Sequence, residues 1–147
     1  MSRPLAKLPG TDYNSFRNYM NWKVIIYSSL FGLAIAFATI SFIPENVEPV
    51  LWLFSYLGIS YATAKHVDSR FFLHGFMVGL LCTLYTTAVH VGFLDTYLAS
   101  HPTLTEQMPK GVGQRTAFAA VSIVIGMISS LVLGTMCYVA AKIAKKV

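Results

Sequence analysis

Four long apolar runs decide what this chain can become. A helix that crosses roughly 30 Å of hydrocarbon at 1.5 Å per residue needs about 20 such residues. Residues 23–43, 49–66, 70–98 and 115–142 are runs of that kind. Inside a bilayer every backbone N–H and C=O must bond within its own segment or a closed barrel, so unbroken runs of this length are helices. The composition agrees, since 55% hydrophobic against 12% charged residues is more apolar than a soluble domain of 147 residues carries. The expected fold is all-α: a polytopic integral membrane protein with four transmembrane helices in an antiparallel bundle. The second run is the shortest in apolar content and ends in Lys65 and His66, so it must snorkel or thin the bilayer locally.

The basic residues set the orientation. Arg3, Lys7, Arg17, Lys23, Lys65, Arg70, Lys142, Lys145 and Lys146 fall on the side that four spans give to the termini and the 67–70 turn, against Lys110 and Arg115 opposite. Positive residues collect in the cytoplasm, so both termini are expected there, with the chain multi-pass in a bacterial inner (cytoplasmic) membrane. The net charge of +5 then reports orientation and affinity for anionic membrane lipid, with no call for a nucleic-acid partner. Glu45, Glu48 and Glu106 fall in the outer connections. More than 20 largely polar residues precede the first run, and "ISFIPEN" after it lacks small residues at cleavage spacing, so that run is expected to stay in the mature chain.

Between the runs, short signals mark turns. Residues 1–22 form a cytoplasmic or interfacial lead-in, where Tyr13, Phe16 and Tyr19 repeat every three residues after a cap signal at Thr11 or Asp12. That pattern fits a short helix on the membrane surface or a frayed tail. Trp22 and Trp52 sit where interfacial anchors belong. Pro44 and Pro49 make "IPENVEP" a tight turn, and "KHVDSR" is equally short, with Asp68 or Ser69 placed to cap the third helix. Residues 98–114 are the longest connection, in which Thr103 and Glu106 have capping-box spacing for one short helix ended by Gly111 and Gly113.

Each run carries a stripe of small residues. Gly75, Gly79, Cys82, Thr83, Thr86 and His90 share one face of the third helix, and Gly32, Gly58, Gly126, Ser130 and Gly134 occupy matching faces on the others. Lipid tails are as apolar as leucine, so helices associate in a membrane through the close approach that small residues allow, helped by Ser and Thr hydroxyls. Gly32, Gly58, Gly75, Gly79, Gly126, Ser130 and Gly134 are therefore the expected packing residues. Cys82 and Cys137 read as small packing residues too.

His66, His74 and His90 are the candidate ligand positions. Sixteen residues separate His74 from His90, which puts them about 160° apart around a helix and about 24 Å apart along it, too far to share a ligand. Haem b needs two imidazoles facing each other from different helices at one depth, and the nearest pair is His66 with His74 across the short turn. His90, Asp95, His101 and Glu106 match no metal-ligand spacing, so no metal is expected and the histidines read as interfacial residues. No acidic residue lies mid-run, where proton-coupled transport places one. Nucleophile elbow, phosphate loop and HExxH are absent from the sequence, so no enzyme is expected and no catalytic residue is assigned.

The tight first hairpin, the third run entered by "SRFFLHGFMVGLL", the segment "DTYLASHPTLTEQM" and the Gly/Ser-rich last run ending "AAKIAKKV" resemble a family of small bacterial four-helix inner-membrane proteins known only as a domain of unknown function. The resemblance covers most of the chain from Trp22 onward. It implies a fold and no activity.

The expected function is that of a non-enzymatic accessory, assembly or scaffold subunit, a homo-oligomer or part of a larger membrane complex, associating through small-residue helix faces. The alternatives are a haem-binding redox anchor and a small-solute transporter. A fluorescent-protein fusion at the C-terminus should glow and a periplasmic phosphatase fusion there should be silent. The opposite pattern would reject the orientation read from the basic residues.

Overall fold

The computed structural model describes residues 20–107 and 113–144, and among them every regular element is helical. In chain order these are α1 (Trp22–Ser41), α2 (Glu48–His66), α3 (Phe71–Gly92), α4 (Leu94–Ser100), α5 (Pro102–Gln107) and α6 (Gln114–Ile143). The expected surface helix at Tyr13, Phe16 and Tyr19, and the stop at Gly111, lie outside the described residues.

Three helices are long and apolar enough to cross a membrane: α1, α3 and α6. The expectation of four is corrected to that extent. At 19 residues α2 spans about 28 Å, but Ser55, Ser60, Thr63, Lys65 and His66 dilute its apolar character. The third run is also shorter than expected. It breaks at Phe93, whose N–H still bonds Val89 O at 3.0 Å while its own carbonyl accepts the Tyr97 N–H at 2.9 Å. Phe93 thus closes α3 and opens α4. The short helix expected near Thr103 is α5, beginning at Pro102 where a missing N–H costs nothing.

Small residues set the packing. α1 runs parallel to α3, as the matched contacts Asn21 to His74, Ser29 to Cys82 and Thr39 to His90 show. α6 runs antiparallel to α3. A Cβ added to Gly75 would lie 2.5 Å from Cys137 Sγ and 2.9 Å from Leu133 O, and one on Gly79 would lie 2.6 Å from Ser130 Cα. Further along, Gly126 meets Thr83, and Gly134 meets the Phe72 ring and carbonyl. On the other side Gly32 admits Cys82, whose Sγ would sit 2.5 Å from an added Cβ. Such distances mean backbones pressed together, which gains dispersion contacts that lipid cannot supply. Ile25, Ile59, Val78, Cys82, Leu133 and Cys137 meet in one buried cluster to which all four long helices contribute.

Gly58 is the exception and a correction. It is exposed, and nothing lies within 4 Å of an added Cβ, so it packs against no helix among the described residues. The outward surfaces are apolar instead, with Phe31, Phe54, Leu57, Tyr61, Ile128 and Leu131 exposed. That arrangement suits a lipid surround and would be a liability in water.

The α2–α3 turn also departs from expectation. The N-cap of α3 is Arg70, not Asp68 or Ser69, and it makes no side-chain cap bond. Its φ of 54° is left-handed, a conformation that costs a side chain roughly 1–2 kcal/mol. What holds it is His74, whose N–H and Nδ1 both lie 3.0 Å from Arg70 O.

Gly79→Ala should lower thermal stability in detergent by about 1–3 kcal/mol through overpacking, and Gly126→Ala likewise. Gly58→Ala should be neutral or stabilising by up to about 1 kcal/mol, the helix-propensity difference. Equal effects at all three positions would contradict the packing described.

Candidate functional site: a cavity beneath α4 and α5

Helix α2 starts with its acidic residue inward. A carboxylate is favoured in the first turn of a helix, where unpaired N–H groups give a partial positive charge. Here Glu48 faces the interior and gathers three donors. Trp52 Nε1–H, one turn on, reaches Oε1 at 3.2 Å. The Tyr97 hydroxyl donates to Oε2 at 3.2 Å, and His101 Nε2 lies 3.0 Å from the same oxygen. The His101 side chain is 1% exposed and that of Glu48 15%.

Donor and acceptor counting fixes one proton. His101 Nδ1 lies 2.8 Å from Tyr97 O, and a carbonyl only accepts, so Nδ1 carries hydrogen. One further proton then sits between Nε2 and Oε2, as imidazolium with carboxylate or imidazole with carboxylic acid. In either form the pair is neutral as a whole.

The break at Phe93 is what brings these groups together. By turning the chain into α4, it stacks Tyr97 on His90 from the end of α3, centroids 4.0 Å apart, and His101 on the other face of Tyr97 at 4.0 Å. Phe118 of α6 meets Tyr97 edge-on at 5.7 Å. His90 Nε2 lies 2.9 Å from Thr39 Oγ1, tying the stack to α1. Burial, and then the adjacent Glu48 carboxylate, push the Tyr97 phenol well above its usual range, so it stays a neutral donor.

Below the stack a cavity of about 610 Å³ opens between α2, α3 and α6. Trp52 and Tyr56 line it from α2, Thr83 and Thr86 from α3, Ser122 and Gly126 from α6. Thr83 Oγ1 bonds back to Gly79 O at 2.9 Å. Thr86 Oγ1 is buried and has no hydrogen-bond partner. A buried hydroxyl left that way is costly.

The candidate histidines separate. His66 is exposed, with Nδ1 3.0 Å from its own Ala62 O. His74, read from sequence as an interfacial residue, is fully buried. Its Nδ1 bonds Arg70 O and its Nε2 accepts the Asn21 N–H at 2.8 Å, so both nitrogens serve the fold and an axial haem bond there would have to break one. Only His90 joins the cavity. Among the described residues no group of three or more His, Cys, Asp and Glu side chains is placed to hold a metal. Asp95 faces Arg115 at 3.3 Å on the surface, and Glu106 is exposed. Of the packing residues, Cys82 and Gly126 line the cavity.

Sequence reasoning assigned no role to Glu48, Tyr97 and His101 and treated Trp52 only as an anchor. The signal available was spacing, since Glu48 to Trp52 and Tyr97 to His101 are each one helical turn.

His101→Ala should cost roughly 1–3 kcal/mol by stranding Glu48, and adding Glu48→Ala should cost less than the sum, measured as a double-mutant cycle in detergent. The Tyr97 pKa is higher folded than unfolded, so its contribution is complete below the unfolded value of about 10 and lost as pH rises beyond it. Melting temperature above pH 10 should therefore fall more steeply in the parent than in Tyr97→Phe; parallel curves would refute that assignment.

No family model, curated protein or solved structure matches this chain.

Proposed function

We propose that this is a non-enzymatic integral membrane protein that binds a small molecule in the cavity beneath α4 and α5. The observation that carries the reading is the cavity itself. It has the volume of a site for a drug-sized ligand, mostly apolar walls and a converging polar set at one end. Such a site serves uptake, release or sensing of a solute.

The reading includes α2 as a fourth span. Its polar Ser55, Ser60 and Thr63 are turned inward and buried, while Leu53, Phe54, Leu57 and Tyr61 are exposed, which is how a membrane helix of modest hydropathy meets lipid. With α2 as a fourth span, the bias in basic residues supports both termini in the cytoplasm of a bacterium and the cavity toward the outer face of its inner membrane.

A second reading, an accessory or scaffold subunit, is favoured by Gly58. The small-residue faces on α1, α3 and α6 are used within the chain, whereas Gly58 lies open beside exposed Leu57 and Tyr61, a surface on which a second copy or a larger partner's helix can approach closely.

Native mass spectrometry of gently extracted protein separates the two. Ligand binding predicts a retained small mass that Ser122→Trp, filling the cavity, removes while Gly58→Leu does not. Protein companions or a homo-oligomer lost in Gly58→Leu, with no retained small mass, would replace the first reading with the second.

A further inference from the structure

The chemistry of the cavity wall selects the ligand. We propose that the cavity takes a lipophilic organic cation without N–H donors, of the quaternary ammonium or phosphonium class. This rests on the ligand-binding reading above.

Charge is the first reason. Two carboxylates, Glu45 and Glu48, line the cavity, and among the described residues no lysine or arginine does. Arg115, at the start of α6, is turned to Asp95 on the surface. The Glu48–His101 pair is neutral as a whole, so among the described residues that line the cavity the negative charge is left on Glu45. An anion would meet that charge and the negative faces of the surrounding rings, whereas a cation gains from both.

Aromatic faces are the second reason. Trp52, Tyr56 and Phe118 line the cavity from α2 and α6, whereas both faces of Tyr97 are taken by His90 and His101. A cation over an aromatic face gains about 0.5–1 kcal/mol when exposed and about 2 kcal/mol or more when desolvated, and quaternary cations use such rings because they have no hydrogen to donate. Hydrogen bonding favours the simpler amines less. Glu48 already accepts from Trp52 and Tyr97 and shares a proton with His101, and Glu45 Oε2 accepts the Thr103 N–H at 3.2 Å. A primary ammonium would bring three donors to carboxylates largely occupied, and burying donors unpaired is costly. A quaternary centre asks only for charge and surface.

The route of entry makes the ligand lipophilic. Leu53 of α2 and Val121 and Ile125 of α6 line the cavity and are also more than half exposed, at 55, 52 and 58%. The two helices touch at their far ends, where Cys137 Sγ lies 3.8 Å from Ser60 Oγ, so the gap between them faces sideways near the α4–α5 end. A ligand passing that gap arrives from lipid.

The test uses two ions of one shape and opposite charge, tetraphenylphosphonium and tetraphenylborate, with neutral triphenylphosphine oxide as a third probe. Each is titrated calorimetrically into the full chain in detergent. The phosphonium should bind saturably and at least tenfold more tightly than the borate, and Glu45→Gln and Trp52→Leu should each weaken it fivefold or more. Glu45→Gln, nearer the surface and checked by its helical melt, carries the charge test. Borate binding as tight as phosphonium, or phosphonium binding unchanged in Glu45→Gln, overturns the proposal. Binding of the neutral oxide alone overturns the cation class and leaves the ligand-binding reading standing. Binding of none of the three overturns both.

Discussion

The seam between α3 and α6 is the contact on which everything else is built. Along it four glycines receive a side chain of the facing helix: Gly75 takes Cys137, Gly79 takes Ser130, Gly126 takes Thr83 and Gly134 takes Phe72. No hydrophobic force drives two helices together in lipid, so close approach has to supply the attraction. It also fixes register, because a shift of one residue would bring side chains where only hydrogens fit. With α6 seated on one side of α3 and α1 on the other, the positions of His90, Thr86 and Thr83 are set before any ligand arrives.

Much of this was legible in the sequence. The small residues on α1, α3 and α6 repeat at helical spacing, and a periodic stripe in an apolar run has few other uses. Gly58 carried the same signal and does not pack, because periodicity places a residue on a face without saying what that face meets. The break at Phe93 left no trace of glycine or proline beyond Gly92, and hydropathy continues across it, so one run was read where the chain makes two helices. That misreading hid the site. Tyr97 and His101 look like the tail of a span or the start of a loop until α4 folds back over α3.

Glu48 shows the same limit from the other direction. An acidic residue beside a proline at a turn is ordinarily solvated, and its three donors come from residues 4, 49 and 53 positions away. Only the nearest of these is visible as spacing. Polar clusters assembled from separate helices are not written in any one of them, whereas helix packing is written in each helix.

The two ends of the molecule are built to different standards. Away from α4 and α5, His74 ties Asn21 to Arg70 with both ring nitrogens, and Cys137 lies against Ser60. At the opposite end α2 and α6 stand apart around a void. Below Thr83 the contacts of Gly79 with Ser130 and Gly75 with Cys137 leave no room between α3 and α6. On that side the void has a floor, and a molecule held above it would leave by the way it came unless the glycine seam itself came apart.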